Sequence, residues 1–174
     1  MFLGEWRDCT HRITGRPREA IRLASLCLAE GQSNETGKIT QDNMVTAYRK
    51  FSKDRVEDIA KELEYLYPGF NIFLNCFSGY PKEFPFSKFK DAVEIAYLKS
   101  LDEKAPKYVW VRGYEQDYQE LVRVMLENGI LLYKRSRTDP AVIYEANQHD
   151  FSIGEPWLAF HPMYTSGLGL IGRA

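Results

Sequence analysis

The chain has no apolar run near the roughly twenty residues that a membrane-spanning helix requires. Its first residues, "MFLGEWRDCTHR", turn polar too early for a secretory signal. Cysteine is scarce: Cys9, Cys27 and Cys76 are odd in number, scattered, and match neither a disulfide framework nor a zinc spacing. Free thiols in a reducing compartment are the expectation, and hence a cytoplasmic protein. No charge of either sign dominates. A formal net charge of −1 gives no overall pull toward nucleic acid or an acidic membrane.

What is present is ordinary for a globular chain. In 174 residues, 44% are hydrophobic and 14% aromatic, enough bulk for one compact core or two small ones. The first 68 residues read as helical. Pro17 suits a first helical turn, where its missing N–H costs nothing. Ala20, Ile21, Ala24, Cys27 and Leu28 then recur at helical spacing as an apolar face, until "GQSNETGK" stops it. Thr40 reads as the next N-cap, with Ile39 and Met44 placed for a hydrophobic staple. Met44, Ala47, Tyr48 and Phe51 face inward. Ser52 reads as the cap of a third helix carrying Val56, Ile59, Ala60, Leu63 and Leu66, which Pro68-Gly69 ends.

Beyond Gly69, "FNIFLNCF" fits helix better than strand in this company. "FPFSKFKDAVEIAYLKSL" reads as a helix capped by Ser87. "GYEQDYQELVRVMLENG" reads as another, with Tyr118, Leu121, Val122, Met125 and Leu126 inward and Gly129 as its stop. The period then changes: "ILLYKRS" and "AVIYEAN", joined by "RTDP", read as an antiparallel hairpin, and "PWLAFHPMY" as a third strand. The expected fold is mainly α: a helical lid-like bundle over 1–68, then a winged-helix-like α+β unit over 69–174.

Motifs for independent chemistry fail on inspection. In "GQSNETGKIT" Gly31 stands one residue too far from Gly37-Lys38 for a phosphate loop, and Ile39 replaces the Mg²⁺-binding hydroxyl. "GLGLIG", Gly167 to Gly172, has no following helix to meet a pyrophosphate. His11, His149 and His161 have no metal spacing, and His161 reads as structural rather than catalytic. No acid/base pair or activated nucleophile can be named, so the chain alone is expected not to be an enzyme. As a winged helix it would present Glu115, Asp117, Glu120 and Glu127 against Arg123 on its recognition helix, which repels DNA. The wing, with Lys134, Arg135 and Arg137, is basic and could touch a phosphate backbone without specifying sequence. That is the alternative reading: a small winged-helix DNA-binding protein.

The segment "TGRPREAIRLA" places Arg16 and Arg18 at a helix N-terminus, where the partial positive charge makes arginine slightly unfavourable unless an anion is shared there. They are either solvated surface or a phosphate site; Arg22, a turn further on, reads as ordinary surface. "GRPREAIRLASLCLAEG" and the following "KITQDNMVTAYRKFSKDRVEDIAKELEYLYPGF" resemble the helical lid after the nucleotide-binding core of bacterial AAA/STAND-type P-loop ATPases. The closest likeness is to a group with an R-P-R-[DE] lid motif, here Arg16-Pro17-Arg18-Glu19. In that group a helix reading A-x-x-x-Y/F-S-x-x-R follows, here Ala47 to Arg55, and then a winged helix. "FHPMY", Phe160 to Tyr164, is similar to an aromatic-His-Pro element of the same group. The resemblance implies that Arg18, or alternatively Arg16, senses the β- or γ-phosphate of nucleotide held by a core. The chain has no Walker A or B motif, so it implies a non-catalytic regulatory module without cofactor of its own. ATP and Mg²⁺ would be met only through a partner P-loop core.

Overall fold

A computed structural model of the chain describes residues 17–33, 37–101, 110–111, 113, 118–142 and 157–172. Within them the fold is mostly helical with one small antiparallel sheet, as the sequence leads one to expect.

Helix α1, Pro17–Gln32, and helix α2, Gln41–Leu63, pack against each other. The inward line of α1 is Glu19, Leu23, Cys27 and Gly31, which shares only Cys27 with the apolar face read from the sequence. Ile21 and Leu28 are 66% and 54% exposed. Glu19, paired with Arg55 on α2, shares that line with the apolar Leu23 and Cys27, so the rotation that buries these three leaves Ile21 and Leu28 outward.

Helix α2 opens on the expected Thr40 cap, as a full capping box. Asn43 N–H donates to Thr40 Oγ1 at 3.3 Å, and Thr40 N–H donates to Asn43 Oδ1 at 2.9 Å. The helix then runs unbroken, so Ser52 does not start a third helix; it lies fully buried mid-helix. Its hydroxyl accepts from Gly167 N–H at 2.7 Å, which removes any need to compete with the helix backbone.

Helix α3, Phe70–Asn75, follows as expected. Strand β1, Glu83–Pro85, was not foreseen, because it is three residues inside a run that reads as the approach to a helix. Helix α4, Phe86–Ser100, starts directly from Pro85; Ser87 lies one residue inside it and does not cap. The buried rings of Phe84 and Phe86 set that boundary. Helix α5, Tyr118–Glu127, buries Leu121, Val122, Met125 and Leu126 as expected. It ends at Gly129 (φ 66°), whose N–H donates to Leu126 O at 2.9 Å while Ile130 N–H donates to Met125 O at 2.9 Å, a left-handed stop that favours glycine.

The sheet differs from the expected hairpin. Strand β2, Leu131–Lys134, pairs with β3, Trp157–Phe160, and β3 pairs on its other edge with β1, giving the order β1-β3-β2. The segment read as the hairpin's second strand contributes only the bridge between Tyr133 and Val142, and its remainder lies outside the described residues. The apolar "WLAF" wins the central place because a central strand must be buried on both edges, and only it has three buried residues in succession. A final turn, α6 (Pro162–Thr165), follows His161.

Buried side chains from both sides of Pro68 form one cluster, rich in phenylalanine: Phe51, Phe70, Phe73, Phe77, Phe84 and Phe89 are all fully buried. Two polar contacts tie α2 to the last turn. They are the Ser52–Gly167 hydrogen bond and the one that Tyr48 hydroxyl donates to Pro162 O. Among the described residues no helix is long and apolar enough to cross a membrane.

Candidate functional site

The first turn of α1 sorts the residues of "RPRE" by environment. Arg16 lies outside the described residues. Pro17 opens the helix and Arg18 is exposed, forming no ion pair among the described residues. Glu19 is buried at 7% exposure. Its Oε1 lies 3.1 Å from Arg55 Nη1, and both side chains are more than nine-tenths buried.

Arg55 Nη1 also donates to Asp58 Oδ2 at 3.0 Å. Asp58 in turn accepts from Arg22 Nη1 at 2.9 Å, and Arg22 Nη2 reaches Asp54 Oδ2 at 2.9 Å. The hydrogen bond to Asp54 raises the Arg22 pKa above its ordinary value, opposed by partial burial and aided by the Asp58 charge. Five charged side chains thus join one turn of α1 to one turn of α2, with Glu19, Asp54 and Asp58 on the acidic side and Arg22 and Arg55 on the basic side.

Arg22 is therefore not idle surface. The sequence reading missed it, and missed Glu19 and Arg55 as partners. A signal was available: Glu19 and Arg55 are the final residues of the two short motifs, and Asp54 and Asp58 stand four apart on one helix face.

The basic residues read as a wing separate in a similar way. Lys134 is 4% exposed, and its ammonium donates to Glu83 Oε2 at 2.6 Å and to Arg137 O at 3.1 Å. Burial and the pair with Glu83 remove it from the surface that DNA would meet, against its expected role as a phosphate contact. Arg135 and Arg137 remain exposed, and the Arg137 guanidinium lies 5.6 Å from the Trp157 ring centre. On α5, Glu120 pairs with Arg123; Glu115 and Asp117 lie outside the described residues.

His161 is 2% exposed and holds a turn. Its Nδ1 accepts from Met163 N–H at 3.3 Å, and its own N–H donates to Ile130 O at 2.9 Å. His11, His149 and Cys9 lie outside the described residues, while Cys27 and Cys76 are buried thiols. Among the described residues no three His, Cys, Asp or Glu side chains converge as a metal site.

Residues 7–60 match a family model described as a FunZ-associated C-terminal helical domain. The matched stretch contains α1, most of α2 and all five members of the ion-pair cluster. No curated protein and no solved structure matches the chain.

Proposed function

We propose that the chain is a non-catalytic regulatory module: a helical lid with a small α+β unit that docks on a P-loop ATPase core and presents Arg18 to the phosphates of the core's nucleotide. The observation that carries this reading is the division of labour in the first turn of α1. Glu19 is committed to Arg55, whereas Arg18 beside it is exposed at a helix N-terminus, where backbone N–H groups and a guanidinium can share an anion. The match of residues 7–60 to a FunZ-associated C-terminal helical domain is compatible with a helical region that works as part of something larger. ATP and Mg²⁺ belong to the core; this chain contributes the guanidinium. The setting is the cytoplasm, where Cys27 and Cys76 stay reduced.

The test uses the full chain assembled with a P-loop ATPase core that co-purifies with it. Arg18→Ala should reduce ATP turnover of the assembly by roughly a hundredfold, the loss typical of one donor removed from a developing phosphate charge. Being exposed, the substitution should leave thermal stability unchanged. Turnover equal to that of the unaltered chain would overturn the proposal.

A further inference from the structure

On the strength of the phosphate-sensing role proposed for Arg18, we infer that Glu19 and Arg55 are positioning residues, whose buried pair sets the direction in which Arg18 leaves the fold. Three observations carry this.

The first is adjacency. Successive helical residues are rotated by about 100°, so a side chain fixed at Glu19 fixes the azimuth of Arg18 within the same turn. The second is the two-point attachment. Glu19 grips Arg55 at 3.1 Å, and three residues later Arg22 grips Asp58 and Asp54 at 2.9 Å. Arg55 and Asp58 are themselves joined at 3.0 Å, so both anchors belong to one rigid unit on α2. Two directional anchors on one helical turn, one buried and one half-exposed, resist rolling of α1 about its axis more than an apolar contact does.

The third is that the pair is a poor choice for stability alone. Taking two charges out of water is seldom repaid by their attraction, and a well-packed apolar pair is often as stable. Arg55 also keeps a buried Nε–H with no hydrogen-bond partner among the described residues, a further penalty. One turn along the same inward line, Leu23 and Cys27 show what a position chosen for packing carries. A costly directional contact stands where direction matters, beside Arg18.

The experiment compares four forms of the full chain: unaltered, Arg18→Ala, the apolar double variant Glu19→Met/Arg55→Leu, and Arg55→Lys. The last keeps the charge but replaces the guanidinium, whose Nη1 meets both Glu19 and Asp58, by a shorter stem ending in a freely rotating ammonium. Three readouts are taken: the thermal midpoint, hydrogen exchange at the amides of Ile21 to Leu23, and kcat and KM for ATP with the ATPase core. The double variant should keep its midpoint within about 4 °C. Its Ile21 to Leu23 amides, bonded to the carbonyls of Pro17 to Glu19, should exchange roughly tenfold faster. Its kcat should fall by roughly a hundredfold with KM little changed, as for a misplaced group. Arg55→Lys should lower kcat in the same sense, and decides the matter if the double variant does not fold.

If the apolar pair or Arg55→Lys leaves kcat intact while Arg18→Ala lowers turnover, positioning is overturned and the sensing role stands. If Arg18→Ala itself changes nothing, the sensing role falls and positioning falls with it.

Discussion

The amide of Gly167 donates to the hydroxyl of Ser52 at 2.7 Å, joining the last turn of the chain to the middle of the longest helix. A Cβ on Gly167 would lie 2.5 Å from Ser52 O and 2.9 Å from Val56 Cγ2. The glycine is there for close backbone approach, and its place in "GLGLIG" has nothing to do with a dinucleotide loop.

Gly167→Ala should therefore destabilise the chain by about 2–3 kcal/mol, because the obstructing atom is helix backbone and cannot swing aside. Gly172→Ala, with open space around it, should change stability by less than about 0.5 kcal/mol. Denaturant unfolding of the two variants side by side checks the contrast; equal stability would mean that the approach at Gly167 is not needed.

Arg22→Ala tests the exposed part of the cluster. The Arg22 side chain is 43% exposed, so its two ion pairs are screened by water, and their loss should cost no more than about 1 kcal/mol. The deficit should shrink in 1 M salt, where the Debye length is about 3 Å. The Glu19–Arg55 pair is buried, so the deficit from Arg55→Lys should persist at the same salt concentration. A salt-independent Arg22→Ala effect would show that the side chain acts through packing of its stem instead.

Most helices are legible because they depend on local signals: Pro17 at a first turn, the Thr40 cap, the Gly129 stop and the inward residues of α5; the expected break at Ser52 is not there, because that hydroxyl is spent on Gly167 instead. The sheet is less legible. Its central strand is contributed by a segment far along the chain, and β1 is three residues long, so pairing was decided by burial of Phe84 and Leu158 rather than by any turn signal. Apolar periodicity misjudged α1, since a scale that treats Glu19 as surface cannot foresee a partner 36 residues away. The motif residues were found; what they touch was not. Arg18 stands out in the sequence by its helix end, but the residues that hold that helix end meet only where α1 packs on α2.

Tyr80 gives a prediction for alkaline solution. Its phenol packs on Phe77 and Phe84, and burial, with the nearby Asp91 charge and Cys76, raises its pKa above the ordinary 10.0 despite Lys88. The folded state thus binds this proton more tightly than the unfolded state. The contribution is fully present below pH 10 and is lost as pH rises through the folded-state value. Tyr80→Phe should leave the thermal midpoint at pH 7 nearly unchanged and lessen its decline above pH 10. Parallel midpoint curves for the two proteins between pH 8 and 11 would refute the assignment.

Lys134 is the last test, and it bears on the nucleic-acid reading. Replacing it by Met leaves Glu83 without its ammonium partner; the Glu83 side chain is 23% exposed and can partly rehydrate, so the cost should be about 2–3 kcal/mol. Glu83→Leu/Lys134→Met should recover most of that loss, since the pair is then replaced rather than broken. Arg135→Ala, on the exposed turn, should stay within about 0.5 kcal/mol of the parent. With Lys134 committed to the sheet, duplex DNA has only Arg135 and Arg137 of the wing trio to meet, two contacts against the acidic side chains of α5. The expected result is no retention of a duplex in a gel shift at about 0.15 M salt. Retention whose log–log salt slope falls by about two units in Arg135→Ala/Arg137→Ala would make the wing a phosphate contact after all.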